Sequence, residues 1–537
     1  METETSREPR GNPWAILFTL ALGFFMTLLD LTIVNIAIPD MTDDLGASLD
    51  DVLWVVNAYT LTLAVLMITA GRLGDLRGKR NLFILGVAVF TLASAACGLA
   101  QDPGQLIAFR ALQGVGAAML MPQTLSIIAD VFPADRRGAA LGVWGAVAGI
   151  SGACGPVLGG VLVNELDWRW IFYVNLPLGG LTLVLAWFVL PREQKTVRHR
   201  LDMPGVLLAT ASLFCLTFAL TEGERNDWNG WTWALIGISV MLFVIFLVYE
   251  RGRQDGEPLV PFSLFRDRNF TIMNFVGIAV SFGLIGVLLP LTIYLQSVLG
   301  YSALESGLAL LPLALGSFVM AGPAGALSDR IGGKYILMAG VTAFGGGLVW
   351  ILATAEPGNS WTTLAGPLFL IGMGAGCTFA PMATEVMRNV PPRLTGAASG
   401  VNNALRQVGS VLAGAIIGAV LQNRLASALD EQARERARAL PGPYRDPFVE
   451  GFSGDALQVG AEAALPAGVP QDVARRLQDA AARVFEHGFV DAMAPTMGVS
   501  AGVMFLATAA CLAVRRHRGP AAAAHGLPAP EPVPAER

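Results

Sequence analysis

The 537-residue chain has little of what builds a soluble active site. Its four histidines, His199, His487, His517 and His525, all lie outside the long apolar stretches, which removes the usual metal ligand and any histidine proton relay from them. Five cysteines, Cys97, Cys154, Cys215, Cys377 and Cys511, are scattered one per apolar stretch without CxxC spacing, so neither a disulfide framework nor a zinc site is indicated. Only three lysines occur, Lys79, Lys195 and Lys334, none within an apolar stretch, which excludes a retinal-type Schiff base. No GxxxxGK[ST] phosphate loop is present, so the sequence offers no ATP-binding motif. Charge itself is scarce: 14% of residues are charged and 54% hydrophobic, with a mean hydropathy of +0.56, far more apolar than a soluble chain of this size.

What is present is long hydrophobic runs. A bilayer core of about 30 Å needs about 20 apolar residues per helix. About fourteen stretches qualify, near 14–38, 52–71, 81–100, 105–129, 138–163, 169–190, 203–221, 231–249, 270–295, 305–327, 335–354, 361–387, 395–421 and 498–514. The first is too long for a signal-peptide core, carries Asp30 and has no small-residue cleavage site behind it, so it reads as a retained span.

Basic residues concentrate in alternate loops: Arg72, Arg77, Lys79 and Arg80 after span 2, Arg136 and Arg137 after span 4, and Arg192, Lys195, Arg198 and Arg200 after span 6. The pattern continues to Arg515 and Arg516, and the positive-inside rule then puts both termini and every even-numbered loop in the cytoplasm. An internal repeat pairs GRLGDLRGKR (71–80) with GALSDRIGGK (325–334), each after an even-numbered span. Two copies with one orientation imply two six-helix bundles in parallel repeat around an axis along the membrane normal. The copies follow spans 2 and 10, so two extra helices must lie between the bundles. The expected organisation is a cytoplasmic N-terminus (1–13), an N-terminal bundle (14–190), two linker helices (203–249), a C-terminal bundle (270–514) and a disordered cytoplasmic tail (515–537). Within the second bundle, 422–496 is an extracytoplasmic insertion in which Leu425/Leu429 and Val473/Leu477/Val484 recur at helical spacing; a helical cap and a solvated linker fit it equally.

Two ionisable residues fall inside spans. Asp30 lies in LDLTIVNIAIP (29–39) of span 1 and Arg110 in LIAFRALQGVGAA (106–118) of span 4. An arginine inside a span costs at least about 2.5 kcal/mol and marks a functional site or a paired structural ion. At 1.5 Å per residue, Asp30 lies about 12 Å and Arg110 about 9 Å from the outer ends of their spans, a similar depth. Both are expected to face one central cavity, with the arginine modulating a carboxylate that alternately binds a proton; a purely structural ion pair is the alternative. Span 5 reads GVWGAVAGISGACGPVLGG, with Gly149, Gly155, Pro156, Gly159 and Gly160 within glycines spaced by three or four, expected along one face for close helix approach. WRWIFYVNLP (168–177) opens span 6, and Trp168 and Trp170 suit an aromatic belt. In the second half, Arg406 and Glu385 are the remaining charges that read as buried.

Together these stretches resemble the major facilitator superfamily, in its fourteen-span drug:proton antiporter group, over nearly the whole chain except 422–496 and the tail. The resemblance implies proton-coupled export of drugs or small amphiphiles by alternating access, no cofactor, no enzymatic activity, no nucleic-acid partner, and a monomer in the inner membrane of a bacterium. It implies a gating role for Gly71, Asp75, Gly78, Arg80, Asp329 and Lys334, with the aspartates latching onto a neighbouring helix N-terminus. It also makes Asp30 and Arg110 coupling residues and ties the span 5 glycine-proline pattern to exporters. Phe25, Trp54, Tyr59, Tyr294 and Arg406 are candidate substrate contacts. A proton symporter, or a lipid or metabolite transporter of the same fold, are the alternatives.

Overall fold

The computed structural model describes residues 12–133, 136–191, 202–223, 228–254, 258–391, 394–452 and 471–515. Fourteen helices are long and apolar enough to cross a membrane, and no strand occurs among the described residues. We number them α1 (Pro13–Ile33), α2 (Leu49–Arg77), α3 (Lys79–Gly98), α4 (Pro103–Val131), α5 (Arg137–Glu165), α6 (Asn175–Val189), α7 (Met203–Glu222) and α8 (Gly230–Arg251). The series continues with α9 (Arg268–Ile293), α10 (Leu311–Ile331), α11 (Gly333–Thr354), α12 (Trp361–Met387), α13 (Thr395–Ala437) and α14 (Gln471–Leu512).

Local chemistry sets where these helices begin and stop. Ser48 and Asp51 form a capping box at the start of α2, and Asp102 caps α4 by accepting the Gln105 N–H at 2.9 Å. The two repeat loops end their helices in the same way: Gly78 has φ +97° and Gly332 φ +87°, and each turns the chain straight into the next helix. Only glycine takes such a φ without strain, which is why the repeat keeps glycine there.

Helices α1–α6 pack as one bundle and α9–α14 as the other, with the α7–α8 hairpin set against α2 and α13. Ser212 and Ser239 lock that hairpin, each hydroxyl donating to the other residue's carbonyl at 3.1 and 2.9 Å. The outer side of α8, with Trp231, Trp233, Phe243 and Val248, is exposed, as a lipid-facing helix requires.

The bundles meet along α5–α10 and α2–α13, and the small residues of the sequence sit at those seams. A Cβ on Gly142 would lie 2.5 Å from the Ala321 carbonyl oxygen, and one on Gly149 3.0 Å from Ser317 Oγ, both on α10. Gly155 and Gly159 instead pack on α1, against Thr32 and Ile33, while Gly160 meets Leu304. The α5 glycines therefore occupy two faces rather than the single face expected from their spacing. At 3.6 residues per turn, the thirteen residues from Gly142 to Gly155 make about 3.6 turns, which leaves the two on roughly opposite faces. Pro156 lies within α5, but its side chain is outside the described ones.

The insertion resolves in favour of helix. Helix α13 continues unbroken to Ala437 and α14 starts at Gln471 instead of near 498, so much of 422–496 prolongs two spans beyond the bilayer. Leu425, Leu429, Leu477 and Val484 are buried, and Gln432 Nε2 donates to Asp491 Oδ2 at 3.0 Å. The described part also includes a short helix, Arg445–Glu450, where Phe448 and Phe452 pack edge to face. Residues 453–470 and the tail from 516 lie outside the described residues, as does the N-terminus through 11.

Candidate functional site

Asp30 and Arg110 meet as an ion pair between Asp30 Oδ2 and Arg110 Nη1. The comparable depth read from the two spans is realised as direct contact. The pair does not face an open cavity: Asp30 is 0% and Arg110 1% exposed, enclosed within the N-terminal bundle. This differs from expectation because side chains and backbone of α2, α4, α6 and the turn at Phe172 close over it. Gln113 Nε2 donates to Asp30 Oδ1 at 2.8 Å and Asn175 Nδ2 does so at 3.2 Å. Arg110 donates also to Gln113 Oε1 at 2.7 Å and, through Nε, to the Val55 carbonyl at 3.0 Å. The Tyr59 ring lies 4.4 Å from the guanidinium carbon and the Phe172 ring 5.9 Å.

Taking two ions out of water costs several kcal/mol each, and their attraction repays it only when the remaining polar atoms are also served. Gln113 and Asn175 do this, and both were missed as site residues in the sequence. Gln113 is one turn after Arg110 and so lies on the same face of α4; Asn175 opens α6 within WRWIFYVNLP, where the tryptophans draw attention away from it. Asn175 also reaches Ser94 Oγ at 3.1 Å, while its own Oδ1 is buried without a donor. Chemically, the centre can hold a carboxylate against a fixed guanidinium or, with a proton added, release that guanidinium to another acceptor.

The repeat loops build a second constellation at the end of the molecule that carries the basic loops. Asp75 accepts the backbone N–H groups of Gly396 and Ala397 at 2.9 and 2.8 Å, at the N-terminus of α13. Gly71 permits this, since a Cβ there would lie 2.5 Å from the Gly396 oxygen and 2.8 Å from Gly400 Cα. Gly325, its counterpart, meets Gly138 and Gly142 of α5. Lys79 Nζ bridges Asp130 and the Thr395 hydroxyl, both at 2.5 Å. The side chain of Asp329 is outside the described ones. Arg80 and Lys334 each bond to carbonyls of their own bundle. Arg80 donates to the Leu190 and Trp187 carbonyls at 3.1 and 2.8 Å, and Lys334 to those of Leu512 and Val514 at 2.6 and 2.9 Å. Each caps the last helix of its own bundle.

The candidate substrate contacts scatter. Tyr59 and Tyr294 are fully buried; the Tyr59 hydroxyl donates to the Thr27 carbonyl at 3.1 Å and that of Tyr294 to the Glu356 carbonyl at 2.7 Å. Both therefore serve packing in this conformation. Phe25 is half-buried on α1, and Trp54 lies against Phe218 of α7 with ring centroids 5.5 Å apart. Arg406 stacks on Phe379 at 4.9 Å, has no carboxylate partner among the described residues, and leaves its buried Nε without an acceptor. Glu385 is held by Arg388 at 3.0 Å and is structural. Trp168 is not in a membrane belt: it is 3% exposed and donates from Nε1 to Asp44 Oδ2 at 3.2 Å, whereas Trp170 is exposed. That indole and then Arg169 hold the Asp44 carboxyl below its usual range.

Two helical bundles, with a buried ion pair in one and Asp75 bonded to the first turn of the other's α13, are the architecture of a membrane transporter. The Major Facilitator Superfamily profile matches residues 20–414, and the chain belongs to that family. It is 33% identical to the tetracenomycin C resistance and export protein of Streptomyces glaucescens over 99% of both chains. It is 40% identical to an uncharacterized MFS-type transporter of Mycobacterium tuberculosis, covering 82% of this chain and 78% of that one. The human organic anion transporter MFSD10 shares the fold, with a TM-score of 0.59, 13% identity, and coverage of 94% of this chain and all of that one.

Proposed function

We propose that this protein exports small amphiphilic drugs or antibiotics across the bacterial cytoplasmic membrane in exchange for protons, by alternating access. The observation that carries the reading is the enclosed Asp30–Arg110 pair with Gln113 and Asn175. Proton binding at Asp30 from the outer side neutralises the anion facing Arg110, and substrate leaves outward as the proton moves inward. Arg406, stacked on Phe379 with no carboxylate partner among the described residues, favours neutral or weakly anionic substrates over dications. The export name of the Streptomyces relative and the glycine-proline pattern of α5 support the outward direction. The basic loops favour cytoplasmic termini, and the fold needs only one chain.

Energetically the coupling suffices. One proton moving down about 100 mV supplies about 2.3 kcal/mol. At about 1.4 kcal/mol per tenfold gradient, that supports roughly a 40-fold gradient of a neutral solute.

The test is efflux from everted vesicles over a panel of dyes and antibiotics, with and without a protonophore. Transport should collapse with the protonophore and fall to background in Asp30→Asn at normal expression. Full proton-driven transport by that variant would sink the carrier role, and import with the proton gradient would overturn export.

A further inference from the structure

A second pair of carboxyl groups is buried away from the Asp30 centre, in the linker hairpin. Asp202 is the N-cap of α7 and Glu250 is the penultimate residue of α8. Glu250 is 0% and Asp202 6% exposed. A Cβ on Gly205 would lie 2.7 Å from both Asp202 Oδ2 and Glu250 Oε1, so the two groups flank one gap.

One oxygen of each group already has a donor. Asp202 Oδ1 accepts the Tyr249 hydroxyl at 2.8 Å and the Gly205 N–H at 3.4 Å, and Glu250 Oε1 accepts the Leu259 N–H at 3.1 Å. The others, Asp202 Oδ2 and Glu250 Oε2, are buried and receive none. Ionised carboxylates only accept, so neither group can serve the other's free oxygen unless one carries a proton. Two like charges in a shared buried site also suppress double ionisation. Two free oxygens are too few to hold a metal ion, and no group of three or more His, Cys, Asp or Glu is assembled among the described residues.

The helix ends say where the proton sits. Asp202 is at the N-terminus of α7, where negative charge is favoured; Glu250 is at the C-terminus of α8, where it is not. Among the described residues, the cations facing the pair are Arg253, 3.8 Å from Asp202 Oδ1, and the buried Arg72 of α2.

We propose that Asp202 and Glu250 form a second proton-binding site that shares one proton, carried by Glu250. Losing the proton leaves two negative charges side by side in a buried site. The hairpin thereby senses pH at the basic end of the molecule.

The test uses the full-length protein in lipid nanodiscs and infrared difference spectroscopy of the carboxylic acid C=O stretch near neutral pH. Glu250→Gln should lose one protonated-carboxyl band present in the wild type. Asp202→Asn should lose the same band, because its amide donates to an ionised Glu250. The folded wild type binds a proton that the unfolded chain does not, so its melting temperature should fall as pH rises through the site. Glu250→Gln supplies the same donor with nothing to lose, and its profile should be flatter. Retention of every protonated-carboxyl band in Glu250→Gln, or an unchanged pH profile, would overturn the proposal. Neither readout depends on transport, so this outcome is separable from that of the export assay.

Discussion

The Asp75 carboxylate accepts the Ala397 N–H at 2.8 Å, with the Gly396 N–H at 2.9 Å on its other oxygen, and so joins the end of one bundle's second helix to the first turn of the other's fifth. The first turn of α13 has no intrahelical acceptors for its N–H groups and carries partial positive charge. An aspartate there satisfies both needs at once, and only while the two bundles are closed at this end.

Asp75→Asn keeps one acceptor and removes the charge. The closed state should weaken by about 1–2 kcal/mol, a roughly 5- to 30-fold rise in the open population. Spin labels at the exposed positions Arg136 and Arg266, one on each bundle, would report it as a longer component in the distance distribution. An unchanged distribution means the bond does not hold the gate.

Gly71→Val and Gly325→Val should each prevent closure, since the new side chain meets the backbone of Gly396 or Gly138, which cannot move aside as a side-chain tip can. Both variants should insert normally and lose transport. A cysteine at Val401, now 3% exposed, should become reactive to maleimide in Gly71→Val. Wild-type transport by either would refute the close approach.

Much of the fold was legible because bilayer thickness fixes helix length and the repeat fixes symmetry. Gly78 and Gly332 could be matched in sequence and both prove to be positive-φ helix ends. Asp30 and Arg110 could be paired by depth alone, since two spans of opposite direction share one coordinate. What the sequence could not supply was azimuth. Nothing in it told whether Gly155 faces α10 or α1, or that Trp168 turns inward to Asp44. Gln113 and Asn175 escaped for a related reason: uncharged amides carry no cost in a hydropathy count, although here they complete the ion pair.

Breaking that pair should be expensive. Arg110→Ala leaves Asp30 buried and unpaired, which costs about 3–5 kcal/mol. Thermal unfolding in detergent should show the loss, and the double variant Asp30→Asn with Arg110→Gln should recover part of it. Arg110→Lys should not rescue, because a lysine lacks the Nε that binds Val55. A double variant that loses the sum of the two single losses would show that the two residues act independently.

Arg80 and Lys334 give a matched comparison. Replacing either by alanine uncovers two carbonyls at the end of α6 or α14 and should lower stability by about 1–2 kcal/mol. Hydrogen exchange should quicken locally, near 186–190 in Arg80→Ala and near 508–512 in Lys334→Ala. Arg80→Ala should cost more, because Arg80 also lies 5.3 Å from the Trp187 ring. Faster exchange at the wrong helix would show that the caps are misassigned.

The unbroken run of α13 to Ala437 makes it a mechanical lever. From mid-bilayer near residue 408 to its tip, the helix is about 43 Å long at 1.5 Å per residue. If the second bundle tilts by about 15°, a typical size for rigid-body rotations, the tip sweeps roughly 11 Å. It runs paired with α14 over its outer part, where Gln432 bonds Asp491. A binder that clasps the outer hairpin could therefore hold the distant latch open or shut without touching it.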